Sequence, residues 1–140
     1  MEINFIETSW TALSPFSAHE VEVDGVVYKT AEHAYQTLRM IEAGREKIQN
    51  ASSPIKAWQL AQVAKEAGLL DSAIDKYALM EKIFRAKLAQ HDDVQAILHD
   101  TGNATLLKVW DTDYYWGTGA DGTGENQMGK IWMKLRDEIQ

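Results

Sequence analysis

Residues 20–36 read Glu20-Val21-Glu22-Val23-Asp24-Gly25-Val26-Val27-Tyr28-Lys29-Thr30-Ala31-Glu32-His33-Ala34-Tyr35-Gln36. The first half alternates in strand fashion about Asp24-Gly25, a dipeptide suited to a two-residue hairpin turn because both turn positions require positive φ. The second half changes period. Thr30 stands where a hydroxyl can accept the first orphan N–H groups of a helix, and the spacing predicts that helix over roughly 31–43, with Gly44 as its stop signal.

The pattern outward from this stretch is mostly helical. Ser53-Pro54 supplies an N-cap and a first-position proline, opening a helix to about Ala67 with Gly68 beyond it. Ser72 with Asp75 resembles a capping box before a long helix to about Ala89. A short helix is expected at 92–99, a strand at 104–110, an aromatic and glycine-rich segment at 114–124 and a last helix over 125–138. Repeats, low-complexity tracts and linkers are absent, so residues 1–140 are expected to form one α+β domain, mostly helical, with a small hairpin or sheet. Nothing alternates as βαβα, which argues against a doubly wound parallel sheet.

Composition removes several classes of chemistry. The chain has no cysteine, which excludes disulfides, thiol nucleophiles and cysteine-ligated zinc. Neither a membrane-length apolar run nor a signal peptide can be read, so a soluble cytoplasmic protein is expected. The net charge of −7 argues against an extended nucleic-acid surface and in favour of a small anionic ligand or one extruded nucleotide. His33, His91 and His99 lack ligand spacing and His19 lies in a loop, so neither a metal nor a cofactor is expected.

Three features carry candidate chemistry. On the first helix, Ala31, Ala34, Tyr35, Leu38 and Ile41 share one arc and are assigned to the core. Glu32, Gln36 and Arg39 fall on another arc, within about 60° of each other at ~3.6 residues per turn. They form either a solvated face or one wall of a polar pocket. On the long helix, Lys87 projects within the apolar stripe Tyr77, Met80, Phe84 and Leu88. A lysine so placed either snorkels outward or is held inside to bind phosphate or act as a desolvated amine. The third feature runs from Asp111 to Lys130. Its Gly117-x-Gly119-x-x-Gly122 string is not a dinucleotide fingerprint, because only 18 residues follow and no βαβ unit fits. Its glycines could bring backbone N–H groups and a helix N-terminus to a ligand. Trp116 and the two tyrosines could stack on a base, and Asp113 beside them is a candidate acid–base group. The plainer reading is a surface loop whose aromatic residues pack on the core.

Taken in order, the segments resemble the NADAR (YbiA-like) family. The resemblance starts at Ser14-Pro15-Phe16-Ser17 and continues through Val23 to Gln36, then Ser52-Ser53-Pro54, Met80 with Ala86-Lys87-Leu88, and Leu98 with Thr101-Gly102. It closes on Asp113-Tyr-Tyr-Trp116-Gly117, Gly122-x-Gly124-x-Asn126-x-Met-Gly129 and Met133-x-x-Arg136. The family's implied activity is cleavage of a C–N glycosidic bond, on phosphoribosylamino-pyrimidine intermediates of riboflavin biosynthesis or on ADP-ribose attached to guanine. By position, Glu32 matches the family's catalytic glutamate and Lys87 its second-half lysine, while Asp113, Trp116 and Asn126 match its C-terminal motif. Two departures stand out. Arg39 replaces the family's usual lysine and cannot form a Schiff base, and a tryptophan that many relatives carry shortly before the position of Met80 is missing.

The expected function is therefore hydrolysis of a phosphorylated N-riboside or ADP-ribosylated base. Glu32, Asp113 and Lys87 are the catalytic candidates, and Gln36, Arg39, Trp116, Gly117, Gly119 and Asn126 the substrate-binding ones. The alternative is a non-catalytic module that binds ADP-ribose or a related nucleotide.

Overall fold

The Asp24-Gly25 turn forms as its sequence requires. Strands β2 (Val21–Val23) and β3 (Val26–Tyr28) pair antiparallel in the register Val21↔Tyr28, Glu22↔Val27 and Val23↔Val26. Asp24 and Gly25 between them have φ of 51° and 85°. The computed structural model describes residues 1–140. It divides the chain into two units: the contiguous Pro15–Gln90, and Met1–Ser14 together with His91–Gln140. The architecture is α+β and mostly helical, with two separate two-stranded sheets.

In the Pro15–Gln90 unit, α1 spans Ala31–Leu38 and the Thr30 side chain accepts the N–H of His33. A four-residue helix α2 (Glu46–Gln49) follows, then α3 (Pro54–Glu66), whose N-cap Ser53 accepts the N–H of Lys56. Helix α4 (Lys76–Gln90) is capped by Asp75, which accepts the N–H of Ala78 at 3.1 Å; Ser72, expected to share this role, lies outside the cap. Helix α1 packs on α3 and α4, and α4 also packs on β2. A core of Met40, Ile48, Ala51, Ala57, Ala61 and Ala64 gathers Leu60, Leu69 and Leu70 around it.

Helix α1 ends five residues earlier than its period predicts. Residues 39–41 leave the helix to pair with residues 69–71: Ile41 donates to Leu69 O at 2.9 Å, Asp71 donates to Arg39 O at 2.9 Å, and Met40 bridges Leu70. A partner thirty residues away outweighs local helical preference. Ile41, assigned to the core by helical phase, is consequently exposed. Leu38 is half-buried, whereas Ala31, Ala34 and Tyr35 are buried as expected.

Two buried polar groups on α1 give testable consequences. The Thr37 hydroxyl is fully buried without a hydrogen-bond partner. Such an orphan typically costs about 1–3 kcal/mol. Thr37→Val is expected to raise stability by about 1 kcal/mol in urea denaturation. Unchanged or lower stability would show that the hydroxyl is satisfied.

His33 is also buried. Its Nε2 lies 2.9 Å from Ala51 O, which can only accept, so Nε2 carries the proton and Nδ1 accepts from the Thr30 hydroxyl at 2.8 Å. Desolvation lowers the His33 pKa from the ordinary histidine value. The folded chain thus binds fewer protons than the unfolded one. Stability from the neutral ring is complete above the ordinary value near 6.5 and is lost as pH falls below it. Denaturation midpoints should decline from pH 7.5 to pH 5, and His33→Gln should flatten that decline.

In the other unit, β1 (Glu2–Asn4) runs parallel to β4 (Thr105–Leu107), pairing Ile3 with Leu106. A 3-10 helix at Thr8–Leu13 packs on α5 (Asp92–Asp100). Helix α6 (Gln127–Ile139) packs on β4, buries Trp132 and donates that indole N–H to Leu13 O at 2.8 Å. Arg136, also buried, donates to Thr101 Oγ1 at 3.0 Å and Ala104 O at 2.8 Å. Strand β4 is shorter than its apolar run because the N–H of Lys108 turns to Asn126 Oδ1 at 3.0 Å. No helix is long and apolar enough to cross a membrane.

Candidate active site

The polar arc of α1 is buried rather than solvated. Glu32 and Gln36 are 5% and 3% exposed, and Arg39 is half-buried. The three side chains are joined in series: Arg39 donates to Gln36 Oε1 at 3.2 Å, and Gln36 Nε2 donates to Glu32 Oε2 at 2.7 Å. The Gln36 amide is thereby fixed in one orientation, with its donor end on the carboxylate. Arg39 also lies over the Tyr35 ring, 5.2 Å from its centre. A guanidinium has five N–H donors and Gln36 takes one, which leaves four for an anion.

The backbone positions the carboxylate. Thr30 caps the helix, and the Glu32 N–H donates to Pro15 O at 3.0 Å, tying the segment before the hairpin onto the first turn of α1. The positive end of the helix favours an ionised side chain there.

Lys87 points inward. It is fully buried on α4 among Met80, Ile83, Phe84 and Leu88. Its Nζ donates to Ser17 Oγ at 2.6 Å. A charge carried this deep requires hydrogen-bond partners, since desolvation otherwise costs several kcal/mol. Ser17 and His19 were not among the expected site residues. Ser17 belongs to the Ser14–Ser17 segment that carries part of the resemblance, but no local pattern ties it to a lysine seventy residues on.

The glycine and aromatic segment, in the other unit, is organised around itself. Asp113 Oδ2 pairs with Lys108 at 2.6 Å, while its Oδ1 accepts the N–H groups of Trp116 at 2.8 Å and Tyr115 at 3.2 Å. Burial pushes the Asp113 carboxyl up, but Lys108 and the two N–H groups outweigh it and hold the pKa below the ordinary aspartate value. Lys108 is the residue that could have been anticipated, five positions away across a turn.

The N–H groups expected to face a ligand are largely spent inside this loop. Gly119 donates to Asp113 O, Gly124 to Thr118 O, Asn126 to Gly117 O, Gln127 to Tyr115 O and Met128 to Trp116 O. The N-terminal turn of α6 therefore caps its own loop instead of forming an open anion site. Gly117 and Gly119 are buried, and a Cβ at Gly119 would run into the Tyr114 ring. Asn126 is buried in the left-handed conformation, accepting from Lys108 N and donating to Leu106 O at 2.9 Å. Trp116 is half-buried, edge-on to Tyr115 at 4.7 Å.

One groove of ≈ 310 Å³ lies elsewhere in the Pro15–Gln90 unit, lined by Gly44, Ile48, Leu60, Val63, Ala64 and Leu69 among others. Glu32, Gln36, Arg39 and Lys87 do not line it. It is an apolar surface feature and not the polar site.

Comparison with known proteins shows the family. The family model described as the NADAR domain matches residues 4–140. The chain is 34% identical to N-glycosidase YbiA of Escherichia coli strain K12, over 98% of this chain and 88% of that protein. It is 29% identical to an N-glycosidase of Nostoc punctiforme, over 91% and 84% of the two chains. It is also 29% identical to a riboflavin biosynthesis protein of Vibrio vulnificus, covering 91% of this chain but 35% of that protein. The NMR structure of E. coli YbiA superposes with a TM-score of 0.79 at 30% identity, over 99% of this chain and 83% of that one. The chain belongs to the NADAR family and, with its N-glycosidase relatives, to the N-glycosyl hydrolases.

Proposed function

We propose that this protein hydrolyses the C–N glycosidic bond of a phosphorylated N-riboside, either a phosphoribosylamino-pyrimidine or an ADP-ribosylated guanine. The observation that carries the proposal is a buried carboxylate, Glu32, and a buried amine, Lys87, on two helices that pack together. Breaking a ribosyl C–N bond builds positive charge at the anomeric carbon and negative charge on the departing nitrogen. Glu32 stabilises the first and takes the proton of the attacking water; the Lys87 ammonium gives a proton to the second. The four remaining donors of Arg39 take the phosphate, the planar geometry a guanidinium serves best.

In this reading Gln36 orients Glu32 instead of touching substrate, because both ends of its amide are engaged, one by Glu32 and the other by Arg39. Asp113, held ionised by Lys108, fixes the loop carrying Trp116, Gly117, Gly119 and Asn126 and leaves the acid role to Lys87.

The test is incubation with a panel of N-ribosides and ADP-ribosylated nucleotides, with free base detected by mass spectrometry and Glu32→Gln as control. Release from phosphorylated members alone is expected. Binding by calorimetry without release of any base would overturn hydrolysis in favour of a nucleotide-binding module.

A further inference from the structure

We propose that Lys87, Ser17 and His19 form a proton relay connecting the buried amine to a half-buried imidazole. All three residues belong to the Pro15–Gln90 unit. Lys87 Nζ lies 2.6 Å from Ser17 Oγ, and Ser17 Oγ lies 2.7 Å from His19 Nδ1. A tight turn makes the second contact: the backbone N–H of His19 donates to Ser17 O at 2.8 Å, folding the ring back over the serine.

Donor accounting gives the relay a direction. An ammonium can only donate, so Ser17 Oγ accepts from Lys87. In the tautomer of His19 that carries its proton on Nε2, the serine hydroxyl donates to Nδ1. Two concerted hops follow from this arrangement. Lys87 passes a proton to Ser17 Oγ as Ser17 passes its own to His19 Nδ1. The products are a neutral amine and an imidazolium, with serine unchanged and total charge conserved. The positive charge moves from a fully buried atom to a half-buried ring. Imidazole is the side chain best suited to take up and release a proton near neutral pH.

The relay's use in turnover rests on the N-glycosidase reading, although its geometry does not. Lys87 becomes neutral on protonating the departing base. An imidazolium at His19, charged from solvent, then passes its Nδ1 proton to Ser17 while Ser17 returns its own to Lys87. The proton taken from water by Glu32 leaves to solvent, so each cycle consumes one water and no net proton.

The deciding measurement is the solvent exchange rate of the Lys87 Nζ protons, read by NMR on protein labelled with 15N-lysine and assigned with Lys87→Met. Base release is not involved, so failure of the glycosidase reading leaves this result intact. His19→Ala and Ser17→Ala are each expected to slow exchange about a hundredfold, the lower end of what a positioned proton-transfer group contributes. Added imidazole should restore exchange in His19→Ala but not in Ser17→Ala. A merely structural role for His19 predicts no such rescue. Exchange in His19→Ala equal to wild type would overturn the proposal. His19 is half-buried in a loop, so that variant decides the matter even if Ser17→Ala fails to fold.

Discussion

Glu32→Gln is expected to lower base release about 10³-fold or more, the usual loss when a positioned acid–base carboxylate is removed. That corresponds to about 4 kcal/mol of transition-state stabilisation. Glutamine keeps the size of the side chain, and its carbonyl oxygen can still accept the Gln36 N–H that now reaches Glu32 Oε2 at 2.7 Å. What disappears is the negative charge opposite the developing cation and the capacity to take a proton from water. Circular dichroism and calorimetric binding should therefore resemble wild type while single-turnover kinetics collapse. Activity within a few-fold of wild type would remove Glu32 from the chemistry.

The largest expected loss of stability follows Gly129→Ala. A Cβ at this buried position would run into the carbonyl oxygen of Leu106 and the side-chain amide of Asn126. Neither neighbour can yield cheaply. Leu106 is paired in the strand, and the Asn126 amide is committed at both ends, to Leu106 O and Lys108 N. Helix α6 would have to move off β4. Overpacking of this kind costs about 3 kcal/mol or more, roughly a 10 °C fall in Tm for a chain of this size. Lys130→Ala, exposed one residue further on, should stay within about 0.5 kcal/mol of wild type. Equal melting temperatures for Gly129→Ala and wild type would refute the close contact of α6 with β4.

Local signals carried most of the element order. Asp24-Gly25, Thr30 and Ser53-Pro54 each act through groups within four residues, so their turn and caps stand where the sequence puts them. Long-range partners explain the departures. Helix α1 stops at Leu38 because residues 69–71 claim residues 39–41, and β1 exists only because β4 lies beside it. The site divides in the same way. Helical phase groups Glu32, Gln36 and Arg39, but phase cannot say whether an arc meets water or protein. Its burial comes from segments distant in sequence, among them the stretch at Pro15 and helix α4. Lys87 was legible as an anomaly within an apolar stripe, while its partner Ser17, seventy residues earlier, was not. The glycines between 117 and 124 promised ligand contact, yet much of their backbone hydrogen bonding is internal, an outcome that composition does not distinguish.

The pairing of β1 with β4 also sets an order of events for a nascent chain. Glu2–Asn4 leaves the ribosome about a hundred residues before Thr105–Leu107 and has no strand partner until that segment is made. Pro15–Gln90 is uninterrupted, so its helices and hairpin can assemble while the C-terminal third is still being translated. Glu32, Gln36, Arg39, Lys87, Ser17 and His19 all lie within that early-completed stretch. The polar groups proposed for chemistry thus all belong to the part of the polypeptide that is complete before residues 91–140 are made.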